Sequence, residues 1–177
     1  MKKIFLAMSL ALAFVAAPAI IAVPQAAAQG AASVEAMEAE VEALLVANAN
    51  DPEAFRAAIE AYILAAADAE LAADAVINAL TNPKGDAARI ALANNPALKS
   101  AGGQGLGAAI AQIGLTNPTV AANMQAKVEA SNDETLQASI SEGNAERTAS
   151  IQQQQAAESG NTAESNDSTP ETPVSPN

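Results

Sequence analysis

Between Ser33 and about Ser141 the apolar residues recur at helical spacing and never alternate long enough to make a strand. Val34, Met37, Val41, Leu44 and Leu45 form one stripe, with Glu35, Glu38 and Glu42 on another face. Ser33 precedes this stripe as an N-cap. Glu35 stands in the first turn, where a carboxylate meets the positive end of the helix dipole. A second, denser stripe contains Phe55, Ile59, Tyr62, Ile63 and Ala66. The pattern predicts an all-α fold, an irregular array of about six short helices with antiparallel neighbours. Phe55, Ile59, Tyr62 and Ile63 are expected to be its densest core.

Helix starts are marked repeatedly. Asp51-Pro52, Asn82-Pro83, Asn95-Pro96 and Asn117-Pro118 each set a capping side chain before a proline. The side-chain oxygen takes an orphan amide of the first turn, and proline there gives up no hydrogen bond. Asp51, Asn82, Asn95 and Asn117 are therefore expected as N-caps, with Asp68 and Asn132/Asp133 as proline-free versions. The starts are unevenly spaced, which argues against a fixed-period solenoid.

"SAGGQGLGAAIAQIGL", from Ser100 to Leu115, is the one glycine-dense stretch. Gly103, Gly105 and Ala108 fit a relaxed dinucleotide fingerprint. That fingerprint needs a strand before it and an acidic residue about 20 positions on. A helix start precedes it instead, and "LTNPTVAANMQ" supplies no acid. Gly107, Ala111 and Gly114 have the spacing of small-residue contacts between membrane helices. Yet Ala101–Leu115 falls short of the roughly 20 residues that span a bilayer, and it holds Gln104 and Gln112. Each glycine inside a helix costs about 1 kcal/mol relative to alanine. The expectation is therefore a break: a helix from Pro96 ends near Ala101, with Gly102 or Gly103 as its left-handed cap. A new helix then runs from near Gly105 to about Leu115, turning Leu106, Ile110 and Ile113 to the core.

Both termini differ from this middle. Lys2 and Lys3, an apolar run from Ile4 to about Val15, the breakers Pro18 and Pro24, and Ala26-Ala27-Ala28 predict an export signal cleaved after Ala28. The rival reading is an uncleaved membrane anchor, since apolar residues continue to Val23, nearly the roughly 20 needed to span. From about Asn144 periodic apolar residues disappear, and the Gln-, Ser-, Thr- and Pro-rich sequence is expected to be disordered. The expected division is a signal peptide at 1–28, a helical domain at 29–143 and a disordered polar, acidic tail at 144–177.

Composition narrows the chemistry. Half of the 177 residues are hydrophobic, but alanine supplies much of that half, and the aromatics are only Phe5, Phe14, Phe55 and Tyr62. There is no cysteine, hence no disulfide and no thiolate nucleophile, and no histidine, the commonest general base and metal ligand. No S-x-x-K or G-x-S-x-G motif occurs. Six of the eight basic residues and all 20 acidic ones follow the expected cleavage point, which takes the net charge from −12 to −14. Such a chain offers no electrostatic footprint for nucleic acid and is repelled by anionic lipid surfaces; it favours cationic partners or ions. Glu35, Glu38 and Glu42, and separately Asp68, Glu70 and Asp74, cluster as oxygen ligands for a hard cation would, without EF-hand spacing; a solvated face is the plainer expectation.

The stretch "NNPALKSAGGQGLGAAIAQIGLTNPTVAANMQAKVEASND", Asn94 to Asp133, resembles the Ala-rich repeats of small exported bacterial helical proteins of uncharacterised function. The resemblance implies export and a helical fold, and no activity. The sequence thus predicts an exported, non-enzymatic protein of the cell envelope or exterior that works by binding or structural association with a protein partner. No catalytic, cofactor-binding or metal-binding residue is assigned, and no cofactor. Stable membrane binding is not expected; the alternative is a membrane-associated protein using segment 101–115.

Overall fold

A computed structural model describes residues 33–160, with side chains through residue 157. The expected signal peptide at 1–28 and residues 161–177 of the expected tail lie outside the described residues. Among those described, the chain forms seven α-helices and no strand, one helix more than expected. They are α1 (Val34–Ala47), α2 (Pro52–Ala65), α3 (Ala69–Thr81), α4 (Asp86–Asn94), α5 (Ala97–Thr116), α6 (Pro118–Ala130) and α7 (Glu134–Gly160).

Helix α5 is the axle of the fold. It packs most extensively against α7 and α2, and α6 lies beside it. Helix α1 pairs with α3 and touches α2 and α4. Phe55, Ile59, Ile63, Leu45, Leu98 and Leu106 are wholly buried, while Tyr62 is only half-buried. The Tyr62 hydroxyl reaches the edge of the core and donates to Glu40 Oε2 at 3.1 Å. Burial, and then the Glu40 charge, push this phenol above its ordinary range. Ten of the buried apolar residues are alanines, which lets helix axes approach closely at the cost of little apolar area per residue.

The caps form where the local code is complete. Ser33, Asp51, Asp68 and Asn117 accept first-turn amides of α1, α2, α3 and α6, and Asp133 accepts the Leu136 amide to open α7. Asn132, just before it, sits at φ 54, a left-handed conformation that asparagine tolerates better than most residues.

Asn82 and Asn95 do not act as N-caps. Asn82 closes α3, and α4 begins later behind Gly85 with no side-chain cap. Asn95 closes α4, and α5 starts behind Pro96, also without a side-chain cap. The Asn95 amide turns away and donates to the Ala49 carbonyl at 3.1 Å, tying the α4–α5 corner to the α1–α2 turn.

The glycine stretch is not a break. Helix α5 runs unbroken through Gly102, Gly103, Gly105 and Gly107, and the segment Ala101–Ile110 is buried except for Gln104. The reason lies outside the helix. A Cβ on Gly107 would run into the Ile140 backbone of α7, and one on Gly143 of α7 would run into the Gln104 backbone. A Cβ on Gly105 would stand 2.5 Å from the Arg56 carbonyl oxygen of α2. Backbone meets backbone on two sides of α5, and tertiary packing overrides the local propensity.

Residues 144–160 also depart from expectation. They are helical rather than disordered, forming the second half of the 27-residue α7. Alanine, glutamine, glutamate and arginine favour helix even without an apolar stripe.

Candidate functional site

The six basic residues of the described segment have one arrangement in common: each is paired with a carboxylate. Arg56 of α2 meets Glu146 of α7 at 2.5 Å. Arg147 of α7 meets Glu60 of α2, and Lys99 of α5 meets Asp133 at the start of α7. Lys127 of α6 meets Asp74 of α3, and Lys84 of the α3–α4 loop meets Glu38 of α1. Only Arg89–Asp86 stays within one helix. The other five cations join elements to one another, and no basic group with a described side chain is left without a carboxylate partner.

Two of these pairs straddle α5. Arg56 also approaches Gln104 Oε1 at 3.5 Å, and Arg147 donates to Gln112 Oε1 at 2.6 Å. Gln104 in turn donates to Glu142 Oε2 at 2.9 Å. A polar line thus crosses from α2 over the two glutamines of α5 to α7. Glu60 Oε1 is buried there with the Arg147 guanidinium as its partner. The sequence carries no local signal for this network, because its partners lie between 35 and 90 residues apart.

The acidic clusters resolve into separate duties. Glu38 is buried and accepts from Asn78 Nδ2 at 2.6 Å as well as from Lys84. Glu42 accepts the backbone amides of Lys84 at 2.5 Å and Gly85 at 2.9 Å. Neither belongs to a merely solvated face: together they hold the α3–α4 loop against α1. The Lys84 ammonium is raised above its ordinary range, first by its hydrogen bond to Glu38. Glu35 stays apart at the helix start, its carboxyl lowered by backbone and Ser33 hydrogen bonds. In the second cluster Asp68 caps α3, Glu70 accepts from Asn123, and Asp74 pairs with Lys127. Among the described residues no group of three or more acidic side chains is placed to hold a metal ion.

The remaining surface is strongly one-sided. Ten carboxylates with described side chains have no cationic partner: Glu35, Glu40, Glu42, Asp51, Glu53, Asp68, Glu70, Glu129, Glu134 and Glu142. All but Glu42 and Glu70 are exposed. The clefts between helices are open grooves; one of about 510 Å³ lies between α6 and α7 over Val128 and Ile140. No described helix is long and apolar enough to cross a membrane. Compared with protein-family profiles, curated proteins and solved structures, the chain shows no match.

Proposed function

We propose that this is an exported, non-enzymatic helical protein that binds cationic partners through its acidic exterior. The observation that carries the reading is the complete internal use of the basic residues. Each described lysine and arginine is neutralised by a carboxylate of the same chain, so the unpaired carboxylates set the field around the bundle. A lysine-rich protein segment is attracted to that field from any side, and anionic polymers and anionic lipid are repelled.

Titration of the full chain with an oligolysine peptide and with an oligoglutamate peptide tests this. Binding confined to oligolysine and weakening with salt is the expected result. Equal indifference to both peptides sinks the proposal. Export is tested separately, by fractionating cells and sequencing the N-terminus of the recovered protein; a mature end at Gln29 supports cleavage after Ala28. The membrane alternative gains nothing from the packing. Segment 101–115 would have to leave its contacts with α2 and α7 before it could meet lipid.

A further inference from the structure

Helix α7 is attached in two different ways along its length. From Leu136 to Gly143 it is interlocked with α5: Leu136, Ser139, Ile140 and Gly143 are buried against it. Beyond Gly143 no described residue of α7 is buried. Past Asn144, whose backbone still lies against Gly107, and apart from the half-buried Ile151, what that half offers the rest of the bundle is charge: Glu146 to Arg56, and Arg147 to Glu60 and Gln112. The charged groups facing this junction are the carboxylates Glu60, Glu142 and Glu146 and the guanidiniums Arg56 and Arg147. The Arg56–Glu146 pair is part-exposed, with 24% of Arg56 and 49% of Glu146 open to solvent. In the Arg147–Glu60 pair a third of Arg147 is open to solvent while Glu60 Oε1 itself is buried.

We infer that α7 beyond Gly143 is an electrostatic strap, closed on α2 and α5 at low ionic strength and released at high ionic strength while the bundle stays folded. Salt screens part-exposed pairs, whereas the interlocked half is held by dispersion and excluded surface, which salt does not weaken. Release uncovers Glu60, Gln112 and the flank of α5 that Arg147 lies across. Outside the cytoplasm ionic strength follows the surroundings, so under the export reading the strap would track them; the strap itself stands without that reading.

Hydrogen exchange on the full chain, read by mass spectrometry in about 20 mM and about 500 mM salt, tests it. Protection of amides 147–151 is expected to fall about threefold to tenfold, while amides within Leu136–Gly143 keep theirs. Arg147→Gln should show the low protection already at low salt and little further response. No loss at 147–151, or an equal loss in Leu136–Gly143, overturns the strap. So does an Arg147→Gln variant that keeps the protection and salt response of the parent chain.

Discussion

Where α5 crosses α7, the contact is made by removing side chains. Gly103 faces the Ser139 side chain, Gly107 faces the Ile140 backbone and Gly143 faces the Gln104 backbone, so at the last two backbone lies on backbone. Where α1 meets the α3–α4 loop, the contact is made by inserting side chains. Glu38 and Glu42 reach out to satisfy Asn78, Lys84 and two loop amides. The first junction is steric and unforgiving of added atoms, because backbone cannot rotate away. The second is electrostatic and directional, and its penalty comes from partners left unsatisfied. One small acidic bundle uses both because its alanine-rich core supplies little apolar area per residue.

The difference breaks most clearly at Gly107. A single methyl there meets the Ile140 carbonyl, a group fixed by its own helix. Gly107→Ala is expected to cost about 3 kcal/mol or more, at the upper end of overpacking penalties. This outweighs the roughly 1 kcal/mol that alanine gains over glycine in a helix. A lowered urea midpoint is the reading; an unchanged or raised midpoint means α5 and α7 do not cross this closely.

The electrostatic junction should fail by subtraction. Glu38→Ala leaves Asn78 Nδ2 without its acceptor and frees Lys84, at an expected cost of about 1–3 kcal/mol. Glu42→Ala strips two loop amides of their acceptor and should cost a similar amount, with exchange of the Lys84 and Gly85 amides speeding up. If either variant matches the parent chain in urea and in exchange, the loop is held by something else.

Asp133 stands between the two types, since it caps α7 at the foot of the steric crossing and pairs with Lys99. The hydrogen bond from Lys99, foremost, holds its carboxyl below the usual range, against a smaller opposing push from burial. A depressed folded value means the contribution is present above the unfolded value of about 3.9 and is lost as pH falls through the folded value. Asp133→Ala should therefore cost about 1 kcal/mol at neutral pH, and the gap to the parent chain should close below about pH 4. A gap that stays constant across acid unfolding would show that the carboxylate charge contributes nothing.

The parts of this fold legible in sequence are those decided within one helical turn. Ser33, Asp51, Asp68, Asn117 and Asp133 cap as their spacing predicts because cap and amide lie two or three residues apart. Asn82 and Asn95 mislead because a residue joining two helices can close the first as easily as open the second. Gly102 to Gly107 mislead more deeply. Their local cost is visible in the sequence, but the gain depends on Arg56 and Ile140, which lie dozens of residues away. The cation pairing was illegible for the same reason. Net charge exposed the acidic excess, but nothing local shows that Arg147 lies between Glu60 and Gln112.

Gly114 gives the finest test of the steric half of this comparison. It belongs to the same helix and the same glycine-rich stretch as Gly107, and local sequence treats the two alike. Yet a Cβ on Gly114 would stand 3.7 Å from the Ala121 Cβ of α6, an ordinary van der Waals distance. Gly114→Ala is thus expected to raise stability by about 0.5–1 kcal/mol, through lower entropy of the unfolded chain and higher helix propensity. The sign, more than the size, carries the argument. If Gly114→Ala and Gly107→Ala shift the urea midpoint the same way, the glycines of α5 are set by something common to the helix. Opposite signs place their cause in the neighbour each one faces.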